Sequence, residues 1–134
     1  MGDEEKVEIL SWGYQGRTAE LLAEIVQRDD VDVVVDVRGN PYSRHPEWRK
    51  ESLEDVLGDR YRWIGWLGDA HYRNRGAFEL RDPDRGMEEL ARLIEGGAHR
   101  ILLLCYERRA ENCHRSLVAE MARERFGATV RHLE

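Results

Sequence analysis

Two short apolar stretches decide the fold: residues 31–37 (VDVVVDV) and residues 101–106 (ILLLCY). The first is rich in β-branched valine, and the second contains no charged side chain. Nearly continuous apolar runs of this length are typical of strands that are covered on both faces, as in parallel sheets. We therefore predict that both stretches are buried strands.

Helical and extended patterns alternate along the rest of the chain. Three more strands are predicted at residues 7–12, 61–64 and 129–133. Amphipathic helices are predicted to begin near Thr18, Pro46, Pro83 and Asn112, with Thr18 and Asn112 as N-caps. Alternating β and α segments form a mostly parallel sheet with helices on both faces. The predicted fold is a single α/β domain of the Rossmann-like, three-layer type, with about five strands.

The size of the chain fits one domain. Its 134 residues allow one hydrophobic core, so residues 1–134 are expected to form a single domain with residues 1–5 disordered. No apolar run approaches the roughly 20 residues of a membrane helix, and no membrane association is expected. The acidic start does not resemble a secretory signal, and two cysteines cannot form a multi-bridge scaffold. We expect a cytoplasmic protein with reduced thiols.

Charge and aromatic residues are unevenly distributed. The net charge of −6 argues against a protein that coats nucleic acid by bulk charge, yet residues 38–50 and 60–75 each carry a net charge of +3. Seven of the eleven aromatic residues also fall between positions 42 and 78. Aromatic and arginine side chains together can form stacking platforms for bases, or a small core under long loops. Nucleotides and nucleic acid are therefore the candidate partners.

Polar side chains follow the two central runs. Ligands of parallel α/β sheets bind at the carboxyl ends of the strands. Asp36 and Arg38 are two residues apart and share a face, either as an internal ion pair or beside a ligand. Ser43 and Arg44 in the next loop add a hydroxyl and a second guanidinium. These residues are expected to contribute to one site at the sheet edge.

A second group of candidates lies around the two cysteines. Cys105 and Glu107 share a face at the end of a buried strand, where a cysteine can also be an inert core residue. If Asn112 caps the last helix, Cys113 lies in its first turn, where the helix dipole lowers a thiol pKa. His114 is expected to face the sheet, and Arg115 to help bind an anion at the helix N-terminus. The alternative is a helix start packed under the sheet edge.

Spacing disfavours two other kinds of site. Cys105, Cys113 and His114 have the pattern C-x₇-C-H, without a C-x₂-C pair, and only His71 or Glu107 could supply a fourth zinc ligand. No metal site is therefore predicted, and the sequence does not decide whether a metal uses these three residues. A cysteine phosphatase loop of the form C-x₅-R would need arginine at position 111, which is Glu111.

These segments resemble the domain-of-unknown-function family 488 (DUF488). The residues that carry the resemblance are Ser11-Trp12-Gly13-Tyr14, Asp36-Val37-Arg38 with Pro41, Ser43 and Arg44, Tyr61 with Leu67-Gly68, Cys105-Tyr106-Glu107, and Cys113-His114-Arg115. Where many members have His-Ser after the first-strand glycine, this chain has Tyr14-Gln15. The resemblance implies an α/β domain with a polar cluster at one sheet edge, and it implies no reaction.

We expect an enzyme of unidentified reaction that acts on an anionic, phosphate-bearing, nucleotide-like substrate. The catalytic candidates are Asp36, Glu107, Cys113 and His114. The substrate-binding candidates are Arg38, Ser43, Arg44, Cys105 and Arg115. The alternatives are a non-catalytic module that binds nucleotides or nucleic acid and a structural or regulatory domain. The sequence identifies neither a cofactor nor an oligomeric state.

Overall fold

A parallel sheet organises the chain in the computed structural model, which describes residues 6–70 and 78–134. Within these residues the strands are β1 (Glu8–Gly13), β2 (Val33–Asp36), β3 (Tyr61–Trp63), β4 (Arg100–Cys105) and β5 (Thr129–His132). They lie in the order β3-β2-β4-β1-β5, and every neighbouring pair is parallel. The predicted α/β fold is confirmed.

Helices connect the strands. They are α1 (Ala19–Arg28), α2 (Lys50–Leu57), α3 (Pro83–Glu95) and α4 (Arg115–Phe126). The Thr18 hydroxyl caps α1 as predicted, because it accepts a hydrogen bond from the backbone N–H of Leu21 at 3.2 Å. Pro46 begins a short 3₁₀ turn, Pro46–Trp48, and α2 follows it. No helix of the described residues combines the length and the apolar composition that crossing a bilayer requires.

The start of the last helix differs from the prediction. Asn112 closes a 3₁₀ turn, Ala110–Asn112, and Cys113 has an extended backbone with φ −137° and ψ 141°. His114 is the N-cap, so α4 begins at Arg115. The backbone N–H groups of Asn112 and Cys113 donate to the carbonyls of Arg109 and Ala110, and this turn replaces the first helical turn. The prediction that Asn112 caps the helix with Cys113 in its first turn is wrong.

The sheet separates two apolar layers. Val34 and Leu102 face a layer that contains residues of α1 and α2, including Leu22 and Leu53. Val33, Val35, Ile101 and Leu103 face the opposite layer, which contains residues of α3 and α4. Every residue of β2 is buried, as a strand covered on both faces requires. The three-layer arrangement therefore follows from the apolar runs that suggested it.

The strand order brings three loops together. Because β4 lies between β1 and β2, the carboxyl ends of these three strands are adjacent. The segment after β4 passes so close to the end of β1 that a Cβ atom at Gly13 would lie 1.7 Å from the carbonyl oxygen of Glu107. The loop after β2 also touches the segment that follows β3. A Cβ atom at Gly68 would lie 2.4 Å from the Cα of Gly39, so the two backbones are in contact. Glycine is required at both contacts.

Candidate functional site

A cleft of about 1080 Å³ lies at the carboxyl edge of the sheet. Six of the nine predicted site residues line it: Arg38, Ser43, Arg44, Cys105, Glu107 and His114. The other three, Asp36, Cys113 and Arg115, are buried, and each is hydrogen-bonded to or in contact with a residue of the cleft wall. The strand ends therefore converge at one site, as the parallel sheet requires.

Asp36 and Arg38 form a buried pair, here called the clamp. The Asp36 carboxylate accepts hydrogen bonds from Arg38 Nε at 2.8 Å, Arg38 Nη2 at 2.6 Å and the Arg38 backbone N–H at 3.1 Å. Asp36 has no exposed surface, whereas Arg38 lines the cleft. Asp36 therefore has the geometry of the internal ion pair that was one of the two alternatives, and Arg38 is its contact with the cleft.

Two tyrosines complete the clamp. The Tyr61 hydroxyl donates to Asp36 Oδ2, and Arg38 Nη1 donates to the Tyr14 hydroxyl at 3.1 Å. Burial opposes the charge of Arg38, but the hydrogen bonds and charge of Asp36 raise its pKa above the ordinary value. Burial and the Asp36 carboxylate raise the pKa of Tyr61 above its ordinary value. The guanidinium is therefore charged and held in one orientation.

Replacing Tyr61 by phenylalanine should change the alkaline stability of the protein. The variant loses the hydroxyl donor to Asp36, which should lower the free energy of unfolding by about 1 kcal/mol near neutral pH. The unfolded tyrosine ionises near pH 10, before the folded one, so the unfolded state gains stability as the pH rises above about 10. The wild type should therefore lose this contribution at alkaline pH, and the difference in the free energy of unfolding between the wild type and the variant (the gap) should shrink. Urea unfolding at pH 8 to 10.5 measures the gap; a constant gap would contradict the raised pKa.

The two cysteines and His114 form a compact cluster next to the clamp, which it touches through the Val37 carbonyl. The sulfur atoms and a His114 ring nitrogen all lie within 4.8 Å of one another. His114 Nε2 lies 2.6 Å from the carbonyl oxygen of Val37, which can only accept, so Nε2 carries a proton. Nδ1 lies 3.9 Å from the sulfur atoms of both Cys105 and Cys113. Neither cysteine is in a disulfide.

The groups in this cluster shift one another's pKa values. A hydrogen bond from the Cys105 thiol, with help from His114, lowers the pKa of Cys113 against the opposing effect of burial. The same hydrogen bond, together with burial, raises the pKa of Cys105. Burial and the nearby Cys113 raise the pKa of Glu107. The lowered pKa expected for Cys113 is present, but its main causes are the neighbouring thiol and imidazole, and the backbone N–H of Arg115 at the start of α4 adds a smaller contribution.

Arg115 holds the loop that follows β4. Its guanidinium is fully buried and donates to Ser11 Oγ at 3.2 Å, to the carbonyl of Glu107 and to the carbonyl of Arg108 at 3.0 Å. Arg115 is not among the described residues that line the cleft. These hydrogen bonds go to the protein's own oxygen atoms, so they position Glu107 and the wall of the cleft.

The family model for DUF488, described as a domain of unknown function, matches residues 18–122. This chain belongs to the DUF488 family. All nine predicted site residues fall inside the matched region. No curated protein and no solved structure matches the chain significantly.

Three tyrosines form an aromatic wall of this DUF488 cleft, although none of them was among the nine predicted site residues. Tyr14, Tyr42 and Tyr106 line it, and Tyr14 stacks on Trp48 with ring centroids 4.5 Å apart. Tyr14 and Tyr106 directly follow β1 and β4, so the rule that identified Arg38 and Glu107 could have found both tyrosines.

Arg81 is a second residue that the sequence did not reveal. It lies just before α3, lines the cleft and donates from Nη1 to the carbonyl of Gly39 at 3.2 Å. No pattern near position 81 distinguishes it from the other arginines. His71, considered as a zinc ligand, lies outside the described residues.

Proposed function

We propose that this DUF488 protein is a cytoplasmic enzyme that binds a phosphate-bearing, nucleotide-like substrate in the cleft. The observation that carries the proposal is the clamp, because it orients a charged guanidinium from a buried position into a cavity. The named hydrogen bonds account for three of the five N–H groups of the Arg38 side chain. Arginine held in this way is suited to bidentate contacts with phosphate or carboxylate.

Two further arginines support an anionic substrate. Arg44 and Arg81 line the same cleft and are exposed to solvent, in contrast to the buried Arg38. Acidic side chains are also present, since Asp69, Glu107 and Glu111 line the cleft. Opposite charges in one cleft are expected where an anion is bound and a proton is transferred. Glu107 is the proposed acid–base group.

The aromatic wall supports the nucleoside part of the substrate. Tyr42 and Tyr106 line the cleft and are 57% and 45% exposed. Exposed aromatic rings near a phosphate-binding group can stack against a base. A cleft of about 1080 Å³ is large enough for a nucleotide, since ligand pockets are typically about 300–1000 Å³.

Two further candidates for the chemistry belong to the cysteine–histidine cluster. Cys105 and His114 line the cleft, whereas Cys113 lies behind them. Asp36 is proposed to position Arg38, and Arg115 to position the backbone of Glu107. Ser43 also lines the cleft, where its hydroxyl oxygen accepts a hydrogen bond from the His45 backbone N–H at 3.1 Å. Binding is thus assigned to Arg38 and Arg44, acid–base chemistry to Glu107, and positioning to Asp36 and Arg115.

Replacing Arg44 or Arg81 by glutamine should weaken phosphate binding. The test titrates inorganic phosphate and nucleoside mono- and diphosphates into the wild type and into Arg44→Gln and Arg81→Gln, with calorimetric detection. Each variant should bind about 5–10-fold more weakly, because each loses a charge-assisted contact of about 1 kcal/mol. Arg60→Gln is the matched control, since Arg60 is exposed at the opposite end of the sheet.

Equal binding by the cleft variants and the control would contradict the proposed anion site. Turnover is tested separately, by mass spectrometry of a panel of nucleoside phosphates. Glu107→Gln should keep phosphate binding but lose product formation. If no panel member is converted although phosphates bind, the catalytic part of the proposal fails and the binding part stands.

Half-exposed tryptophans favour one alternative, a module that binds single-stranded nucleic acid. Trp63 and Trp66 are 39% and 41% exposed, and the Trp63 indole donates to the carbonyl of Arg38 at 2.7 Å beside the cleft. The same titrations with short oligonucleotides distinguish the two functions. Oligonucleotide binding that is tighter than mononucleotide binding and falls steeply with salt would favour the module over the enzyme.

A further inference from the structure

The cysteine–histidine cluster brings together the ligand types of a metal centre. A tetrahedral zinc site has Zn–S bonds of about 2.3 Å and Zn–N bonds of about 2.0–2.1 Å, which place S and N ligands about 3.6 Å apart and two S ligands about 3.8 Å apart. His114 Nδ1 lies 3.9 Å from both sulfur atoms, Cys105 Sγ is equally far from Nε2, and all three ligand atoms lie within 4.8 Å of one another. These separations are slightly longer than those of a zinc site, so metal binding would draw the three side chains together. We propose that Cys105, Cys113 and His114 bind zinc or a similar borderline-soft divalent cation.

The fold shows how two cysteines separated by seven residues can contribute to one metal site. The seven residues between the cysteines leave β4, pass over the end of β1 and return through the Ala110–Asn112 turn. This path brings Cys113 back to the sulfur atom of Cys105. A C-x₂-C pair is therefore unnecessary, because the sheet edge supplies the proximity that a short knuckle supplies in zinc ribbons.

The orientation of the histidine ring supports the metal centre. Histidines that bind metals almost always donate their other ring N–H to a carbonyl or carboxylate group. The Nε2–H group of His114 donates to the carbonyl of Val37, which belongs to the segment between Asp36 and Arg38. This contact leaves Nδ1 as the ligand atom, and Nδ1 is the atom that faces Cys113. The clamp and the proposed centre therefore share one backbone segment.

The backbone around the ligands is held in place without a metal. Cys105 is the last residue of β4, which has a neighbouring strand on each side. The Cys113 carbonyl accepts a hydrogen bond from Ser116 Oγ at 2.8 Å. Arg115 holds the intervening loop through two carbonyls. Ligands that are already positioned lose little conformational freedom when the ion binds.

Charge balance also favours a divalent cation. When a metal binds, the Cys105 thiol would lose its proton, and two thiolates with a neutral imidazole would carry two negative charges, which a divalent ion neutralises. Cys105, Cys113 and His114 are all buried, and buried charges are costly unless they are paired or coordinate a metal. Sulfur and imidazole ligands select zinc and similar ions over magnesium and calcium, which prefer oxygen.

One coordination position is proposed to open onto the cleft. Cys105 and His114 line the cleft, while Cys113 lies behind them. Three protein ligands with an open fourth position are typical of catalytic zinc rather than structural zinc. Water or an anionic oxygen atom of a ligand would complete the coordination. The metal centre lies in the cleft of the proposed function, but its existence does not depend on that function, because metal binding is measured without any substrate.

The test is a metal titration of the intact, reduced protein after removal of metals with a chelator. Zinc is added in competition with a chromophoric chelator, and cobalt(II) is added in a parallel titration. One equivalent should bind, cobalt should give a thiolate-to-metal charge-transfer band, and zinc should protect both thiols from a thiol reagent. Cys105→Ser, Cys113→Ser and His114→Gln should each weaken binding by more than about 100-fold, since loss of an outer-shell contact alone weakens it about 10–100-fold.

His45→Gln is the matched control, because His45 lines the same cleft outside the cluster and should leave metal affinity unchanged. Circular dichroism and thermal unfolding show whether each metal-free variant is folded.

Absence of one tight equivalent, absence of the charge-transfer band, or wild-type affinity in the cysteine variants would overturn the metal centre. Formation of an intramolecular disulfide by a protein that binds no metal would identify a redox pair instead. Phosphate binding by a protein that binds no metal would overturn the metal centre and leave the proposed function intact.

Discussion

Asp36→Asn is expected to lower the free energy of unfolding by about 3–5 kcal/mol, because it leaves the buried Arg38 guanidinium without a counter-charge. Asp36 has no exposed surface and accepts three hydrogen bonds from Arg38 and one from Tyr61. An asparagine side chain keeps the volume but offers one acceptor oxygen, and its amide would face donors. Urea unfolding of the wild type and the variant measures the effect.

The matched control is an exposed ion pair. Lys50 and Glu54 are 3.0 Å apart on the surface of α2, and Glu54→Gln should change the free energy of unfolding by less than about 0.5 kcal/mol. The double variant Asp36→Asn with Arg38→Met should recover part of the lost stability, since it removes the unpaired charge. A loss below about 1 kcal/mol for Asp36→Asn alone would show that Arg38 leaves its buried position when the carboxylate is removed.

Gly13→Ala is expected to destabilise the protein by more than about 4 kcal/mol, a loss that is exceptional for a single substitution. The new Cβ atom would lie 1.7 Å from the carbonyl oxygen and 2.4 Å from the carbonyl carbon of Glu107. Both atoms belong to backbone that Arg115 holds in place, so a side chain rotation cannot relieve the contact. β1 cannot shift either, because β4 and β5 pair with its two edges.

Thermal and urea unfolding measure the effect of Gly13→Ala, with Gly96→Ala as the control. Gly96 has φ −79° at the end of α3, and a Cβ atom there would lie 3.3 Å from the Arg92 carbonyl. This substitution should change stability by less than about 1 kcal/mol. A Gly13→Ala protein with wild-type stability would mean that the loop after β4 moves away from β1 at little cost.

The parts of the fold that sequence could predict depend on neighbouring residues. The valine run of β2 and the aliphatic run of β4 indicate strands covered on both faces, because such runs bury apolar area on each side. The Thr18 cap is equally local, since its acceptor and donor are three residues apart. The strand-end rule then placed Arg38, Cys105 and Glu107 at one edge, because it needs only the strand boundaries.

The parts that could not be predicted depend on contacts between distant segments. Arg115 donates to Ser11, which is 104 residues away, and nothing beside position 115 indicates that its guanidinium is buried. The start of α4 was misplaced because the Ala110–Asn112 turn competes with a helix cap at Asn112, and local propensity does not decide between them. The proximity of Cys105, Cys113 and His114 depends on the path of the loop over Gly13.

The strand order also determines when the cleft can exist during synthesis. β1 and β2 emerge first from the ribosome, but β4 lies between them in the finished sheet. A nascent chain that ends before residue 100 lacks β4, which lies between β1 and β2 in the sheet. β1 and β2 therefore cannot reach their final pairing until β4 has been translated. Cys105, Glu107 and His114 arrive with that strand or just after it. The two cysteines are therefore translated after the clamp residues, together with or just after the strand that joins β1 to β2.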